Sequence, residues 1–455
     1  MRYVSTRGDA PELGFADVVL EGLARDGGLY VPASWPALPG QLPGAYADLA
    51  TDVIMPYVGT DFDRPTISRL CREAYSTFRH PDVVPIVELE PNHYLMELFH
   101  GPTLAFKDVA LQLLGRLFDT ILTARNERVM IVGATSGDTG SAAIDGVKNC
   151  ANVDIVILYP NGRVSDVQRK QMTTVDSPNV HTVAVEGTFD DCQDLVKAMF
   201  NDATFRTTHN LSAVNSINWA RVMAQIVYYV AATNRFGREV DVTVPTGNFG
   251  NVLSGWIARQ MGAPVGNLVV ASNENDILTR FFESRTMNAT GVHPTLSPSM
   301  DIQVSSNFER LLFEMNGRDG AVTREQLTRF RDRGSMAIET DQYEEWIAPT
   351  FRAGRASDHD TLVTIRSVYE ATGMQIDPHT AVGVKAAREN LRDGVPMVTM
   401  ATAHPAKFPD AVERATGVRP QLPEHLADLL TRPERTTTLP NDLSTVQKFV
   451  ASVAR

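Results

Sequence analysis

The chain has 455 residues, with 43% hydrophobic and 21% charged side chains, the composition of an ordinary globular protein of roughly two to three domains by length. Its net charge of −12 argues against nucleic acid and anionic membranes, which select basic surfaces, while leaving room for a small anionic substrate bound in a local positive pocket. Three widely spaced cysteines, Cys71, Cys150 and Cys192, include no CxxC pair; a disulfide framework and a metal site are therefore not expected. The N-terminus lacks the apolar core of a signal peptide. The best membrane candidate, residues 222–232, is interrupted by Gln225 and falls short of the ~18 apolar residues a span requires. The expectation is a cytoplasmic enzyme.

In chain order, four prolines (Pro32, Pro36, Pro39 and Pro43) with Gly40 and Gly44 make residues 27–45 read as irregular surface. Helical patterns cover 45–57 and 67–78, and short strands at 83–89 and 94–98 lead into a Gly101-Pro102 turn. An apolar helix begins beyond that turn. Steps of four, three and four from Lys107 reach Leu111, Leu114 and Phe118, so the lysine shares the apolar stripe near the helix's positive end. Such a lysine either snorkels its ammonium to water or is desolvated and held as the neutral amine that attacks a carbonyl.

From residue 128 strands and helices alternate. Strands read at 128–134, 154–159, 179–185, 239–244, 267–271 and 395–401, and helices at 190–200, 218–236 and 252–261. Alternation of this kind predicts doubly wound, parallel α/β architecture with sites at the carboxyl ends of strands. Residues 272–360 show helical patterns at 308–315 and 324–333 but resist placement.

Three strand ends carry chemistry. Gly247-Asn248-Phe249-Gly250-Asn251 joins a strand to a helix, and its small residues let backbone amides converge on an anion at the helix's positive end. It is neither a Walker A loop nor GxGxxG, so nucleoside triphosphates and dinucleotides are disfavoured; a ligand-free tight turn is the plain alternative. Thr135-Ser136-Gly137-Asp138-Thr139-Gly140 is a second loop of the same kind, in which Asp138 reads as a cap or polar anchor. Thr402 ends a third strand, and His404 and Lys407 beyond it read as core or surface residues.

These pieces together resemble the threonine synthase family, pyridoxal-phosphate enzymes of the tryptophan-synthase-β fold type. The matching segments are Leu98-Phe-His-Gly-Pro-Thr-Leu-Ala-Phe-Lys-Asp108, Ala134-Thr-Ser-Gly-Asp-Thr-Gly-Ser-Ala142, Val244-Pro-Thr-Gly-Asn-Phe-Gly-Asn251 and Thr402-Ala-His-Pro-Ala-Lys-Phe408. Tyr3-Val-Ser-Thr-Arg-Gly8 and residues 22–32 resemble the longer branch of that family. The resemblance implies pyridoxal-phosphate fold type II: doubly wound sheets in two subdomains, with an extra N-terminal segment at 1–95 and a catalytic region at 96–455. A smaller subdomain, about 125–205, would be inserted in the larger one.

The resemblance also implies that Lys107 is the catalytic Schiff-base lysine of pyridoxal 5′-phosphate. Residues Gly247, Asn248, Phe249, Gly250 and Asn251 would hold the cofactor phosphate, and Thr402 would face its pyridine nitrogen. Thr135, Ser136, Gly137, Asp138 and Thr139 would receive the substrate carboxylate; for its phosphate, which needs cationic or hydroxyl donors, the candidates are Arg221, Asn218, Ser136, Thr135 and Lys407, of which Arg221 best suits a bidentate contact. The implied reaction converts O-phospho-L-homoserine and water to L-threonine and phosphate. The rivals are a lyase giving 2-oxobutyrate from the same substrate, a dehydrating or β-replacing relative acting on serine or threonine, and a catalytically silent binding protein of the same fold. The expected partner is the small substrate alone, in a monomer or homodimer.

Overall fold

In the computed structural model, which describes residues 1–455, Lys107–Arg125 forms one helix buried on almost every side. Leu111, Leu113, Leu114, Leu117, Phe118 and Ile121 are all in the core. At roughly 1.5–3 kcal/mol for each large apolar side chain buried, they contribute on the order of 10 kcal/mol. That is enough to keep Lys107 and Asp108 in the interior at the helix's first turn despite the cost of burying polar groups.

The close approach of this lysine helix to the helix Asp138–Val147 depends on two glycines. A Cβ at Gly115 would overlap the Gly146 carbonyl, and one at Gly146 would overlap the Leu111 carbonyl. The backbones therefore touch, and the first residues of the two helices, Lys107 and Asp138, open onto the same space.

Two sheets organise the rest. The larger has the order Phe351–Arg355, Val265–Ser272, Val240–Pro245, Met397–Ala401, His93–Glu97, Ile86–Glu90, parallel except for the last strand. The smaller has the order Thr437–Pro440, Val180–Glu186, Val153–Pro160, Val129–Ala134, Leu211–Ser212, parallel throughout. Val153–Pro160 and Val265–Ser272 are buried along their whole length, as strands covered on both faces must be. The expected strands and helices recur within a few residues of their expected ends.

Three expectations need correction. Residues 27–45 are not all irregular: Tyr30–Pro32 is a buried strand antiparallel to Tyr3–Ser5. The smaller unit is not confined to 125–205, because the strand Thr437–Pro440 joins its edge and the helix Leu443–Val453 packs Val446 and Val450 into its core. A boundary at residue 95 also cuts through His93–Glu97, which pairs with Met397–Ala401 inside the larger sheet. No helix is long and apolar enough to cross a membrane, and the three cysteines are buried and free.

Candidate active site

The loop before Lys107 is tied to the end of the strand Met397–Ala401. Leu98 N donates to Ala401 O, Phe106 N to Thr402 O and His404 N to Leu104 O, at 2.8–3.0 Å, and Ala105 bridges Ala403. Thr402, buried, is thereby fixed one residue from the start of the lysine helix. Lys107 Nζ lies 3.4 Å from Asp138 Oδ2 and 3.4 Å from Ser299 Oγ. Burial pushes the Lys107 amine below its ordinary value; Asp138 opposes this, while Lys407 and Arg221 act with burial. The lysine is not a snorkelling one: it is buried, and its nitrogen is within reach of a carboxylate and a hydroxyl.

Gly247–Asn251 forms the second wall. Phe249 takes a left-handed φ of 64° to cap the helix Gly250–Gln260, and its ring is packed among Phe282, Phe308 and Phe351, which outweighs the modest strain. The carbonyl side of the loop is held from behind. Ser305 Oγ donates to Gly247 O at 2.6 Å, and Asn307 donates to Asn248 O through both its backbone and its side chain at 3.1 Å. The amides of residues 247–252 donate to no protein acceptor, so a run of N–H groups converges at a helix's positive end. Gly247 must lack a side chain, since its Cβ would lie 2.6 Å from Ser299 O. Ser299 thus bridges the two walls, with its hydroxyl at Lys107 and its carbonyl against the loop.

Two further buried donors lack partners, Arg221 Nε and Asn251 Nδ2. Arg221 bonds Val214 O through Nη1 at 3.1 Å, and burial pushes its guanidinium down to about 10. Asn251 Oδ1 accepts from Tyr228 and Tyr229 at 2.6 and 2.8 Å, which fixes the amide's orientation. A desolvated amine, an amide cradle and unpaired buried donors together suit a phosphorylated aldehyde, so the residues present fit pyridoxal phosphate.

The structure separates the other expected residues by what they already bind. Thr135 Oγ1 accepts from the amides of Gly137 and Gly140, both at 2.9 Å, and so shapes its own loop. Ser136 is exposed and Thr139 half-buried beside Gly137. Asp138 is a buried counter-ion rather than an open ligand: Gln168 Nε2 donates to it at 2.8 Å and Lys407 Nζ lies 3.0 Å away. Burial would raise its carboxyl, but Lys407 and Lys107 win and hold it well below the usual carboxylate range. Asn218 is corrected outright as a substrate residue. It caps the helix Trp219–Phe236 through Oδ1 to Ala220 N at 3.0 Å, gives Nδ2 to Val19 O at 2.9 Å and is fully buried.

Lys407 is equally committed elsewhere, to Thr103 O, Gln171 Oε1 and Asp138. Sequence reasoning missed Ser299, Gln168, Gln171 and Asn307; only the small-residue run Ser297-Pro298-Ser299 hinted at a close-packed turn. A cavity of about 500 Å³ lies elsewhere, lined by Arg69, Arg116, Asp145 and Lys148 among others, and includes none of these residues.

Comparison with known proteins bears on the whole chain. Residues 2–75 match the family model for the N terminus of threonine synthase, residues 380–450 that for its C-terminal part, and residues 83–332 that for pyridoxal-phosphate dependent enzymes. Threonine synthase of Pseudomonas aeruginosa is 53% identical over 467 aligned positions, covering 99% of this chain and 98% of the relative. The X-ray structure of PLP-bound threonine synthase from Brucella melitensis matches with a TM-score of 0.97 at 51% identity, with 100% of both chains covered. The yeast threonine synthase structure matches at 0.93 and 38% identity, covering 99% of this chain and 98% of that one.

Proposed function

The chain belongs to the threonine synthase family, and from that premise we infer that its site converts O-phospho-L-homoserine and water to L-threonine and phosphate with pyridoxal 5′-phosphate as cofactor. The fold is pyridoxal-phosphate fold type II. The observation that carries the reading at the residue level is the buried Lys107 amine in a site it shares, through Ser299, with an amide cradle for phosphate.

The amides of 247–252, at the positive end of the helix Gly250–Gln260, would hold the cofactor's phosphate, and Lys107 its aldehyde. When bound, pyridoxal phosphate supplies an electron sink beside the substrate's Cα. Thr402 offers that ring a neutral hydroxyl, which unlike a carboxylate does not enforce a protonated pyridine nitrogen. Lys107 would take the Cα proton and later return it; its depressed basicity makes the free amine available for that work. Overall the Cγ–O bond to phosphate breaks as one Cβ proton is lost, Cγ gains a proton and ends as a methyl group, and water adds its hydroxyl at Cβ while its remaining proton goes to the released phosphate.

Arg221 suits the leaving phosphate. It is buried, keeps its charge, and its Nε has no partner within the protein. Ser136, Gly137 and Thr139, at the start of the helix Asp138–Val147, face the substrate carboxylate, with Thr135 shaping their loop. Purified protein given O-phospho-L-homoserine should release threonine and phosphate in equal amounts. 2-Oxobutyrate as the main organic product would replace this reading with the lyase one, and no turnover with no bound chromophore would indicate a silent relative.

A further inference from the structure

Lys407 is completely buried, a rarity for lysine, and its amine has two hydrogen-bond acceptors and a carboxylate beside it. Thr103 O lies at 2.7 Å, Gln171 Oε1 at 2.9 Å and Asp138 Oδ1 at 3.0 Å. Every polar group within its reach is an oxygen acceptor, surroundings that suit an ammonium, which donates and has no lone pair to offer. Gln171 is itself oriented by donating to the same Thr103 carbonyl at 3.0 Å. Asp138 is consequently shared unequally. Its Oδ1 is gripped by Lys407 and Gln168, while Oδ2 reaches Lys107 at the longer 3.4 Å.

We propose that Lys407 is a positioning residue for Lys107, its fixed side chain holding Asp138 Oδ1 so that Oδ2 is aimed at Lys107, and its charge opposing the Lys107 ammonium, while taking no part in proton transfer itself. Two buried lysines share one carboxylate, Lys407 at 3.0 Å and Lys107 at the longer 3.4 Å. This rests on the reading of Lys107 as the amine that carries the cofactor.

The charged groups around the pair come from several elements. Lys107 is faced by Asp138, by Lys407 from the turn after Met397–Ala401, and by Arg221 from the helix Trp219–Phe236. Asp138 is also faced by His379 from the helix Pro378–Arg388, and Lys407 by Asp108. The signs follow directly. Removing the Lys407 charge removes repulsion and leaves Asp138 to attract Lys107 alone, so the Lys107 ammonium becomes harder to deprotonate. Removing the Asp138 charge does the reverse.

Capture of the cofactor's aldehyde by Lys107 forms one C=N bond, expels one water and requires the unprotonated amine. Its rate against pH therefore reports the titration of Lys107. The full-length chain, stripped of cofactor and mixed with pyridoxal phosphate at a series of pH values, is followed by visible absorption. With Lys407→Met the midpoint should move up by about one pH unit or more, and with Asp138→Asn it should move down by a similar amount. A purely structural role would slow capture at every pH without moving either midpoint, and unmoved or like-directed midpoints overturn the proposal. Should Lys407→Met fail to fold, Asp138→Asn decides alone: an unmoved or raised midpoint overturns it. Borohydride labelling of the unaltered chain separates the two claims. A label away from Lys107 refutes the underlying reading, whereas a label on Lys107 with unmoved midpoints refutes only the part given to Lys407.

Discussion

Arg221 is buried with one guanidinium nitrogen unpaired, a costly arrangement in a protein interior unless a ligand completes it. Hydrogen bonds to charged groups contribute roughly 1.5–3 kcal/mol, so Arg221→Leu should raise KM for O-phospho-L-homoserine about tenfold or more in steady-state kinetics. The visible spectrum of the bound cofactor should stay as it is. An unchanged KM would place the substrate phosphate elsewhere. A second residue-level test concerns acid. His93 has no exposed side-chain surface, lies beside Thr399 at 2.8 Å, and burial pushes its imidazole down to about 4. The neutral ring belongs to the folded chain, so its contribution is complete above the unfolded value of ~6.5 and is lost as pH falls toward 4, about 3 kcal/mol in all. Asp108, pushed up to about 7 by burial, acts in the opposite sense, which makes the comparison with a variant necessary. In His93→Gln the urea midpoint at pH 5 should rise relative to that at pH 7, compared with the unaltered chain; an unchanged signed difference would contradict the assignment. Lys107 could be singled out in the sequence because it sits inside a recognisable motif, whereas Arg221 lies in none and was one of several candidate donors. Ser299 and Gln168 were not legible, nor was the part Lys407 plays within its motif, because their partners lie far away along the chain: 192 residues separate Lys107 from Ser299 and 304 separate Lys407 from Thr103.

At the scale of elements, the strand-to-helix turn at 247–251 works because a backbone without side-chain bulk lies against Ser299. Gly247→Ala, the smallest possible change, puts a methyl where a carbonyl already sits. Retention of pyridoxal phosphate, read as the dissociation constant from absorbance titration, should weaken tenfold or more; unaltered retention would reject this loop as the phosphate holder. Periodicity made most of the central elements readable, and the reasons for the failures are physical. Pro378–Arg388 is buried nearly all round and built from Ala, Val, Gly and Thr, so it shows no polar face to set a helical period. Thr437–Pro440 is a half-exposed edge strand ending in proline, and proline reads as a breaker although an edge tolerates it. The helix Asp358–Thr372 did carry a start signal, the Ser357 and Asp360 capping box, in a region otherwise without pattern.

Across the whole molecule, the N-terminal segment braces the site from outside. Tyr3 OH accepts from Trp219 Nε1 at 3.0 Å, and Val19 O accepts from Asn218, so the first residues clamp the start of the helix that bears Arg221. Arg7 and Thr6 grip Glu309, and Arg310 donates to Tyr30 O at 3.0 Å, tying the same segment to the helix Phe308–Met315, whose cap Asn307 holds the turn at 247–251. The Arg7–Glu309 pair is almost fully buried. Breaking such a pair from one side costs about 3–5 kcal/mol because the remaining charge is stranded. Arg7→Ala should therefore lower stability by about 3 kcal/mol in urea denaturation, while Arg7→Ala with Glu309→Leu recovers much of it; no recovery would show that the pair does not act as a unit. The resemblance located this segment in the chain, but its role as a brace depends on pairings some 300 residues apart that no local pattern encodes.

The account depends most on which nitrogen bonds the cofactor. Borohydride reduction of the holoenzyme, followed by digestion and mass mapping of the modified peptide, should place a reduced pyridoxyl group on Lys107 and on no other lysine. A label on Lys407, the other lysine at this site, or no covalent label in a protein that still retains the chromophore, would contradict it.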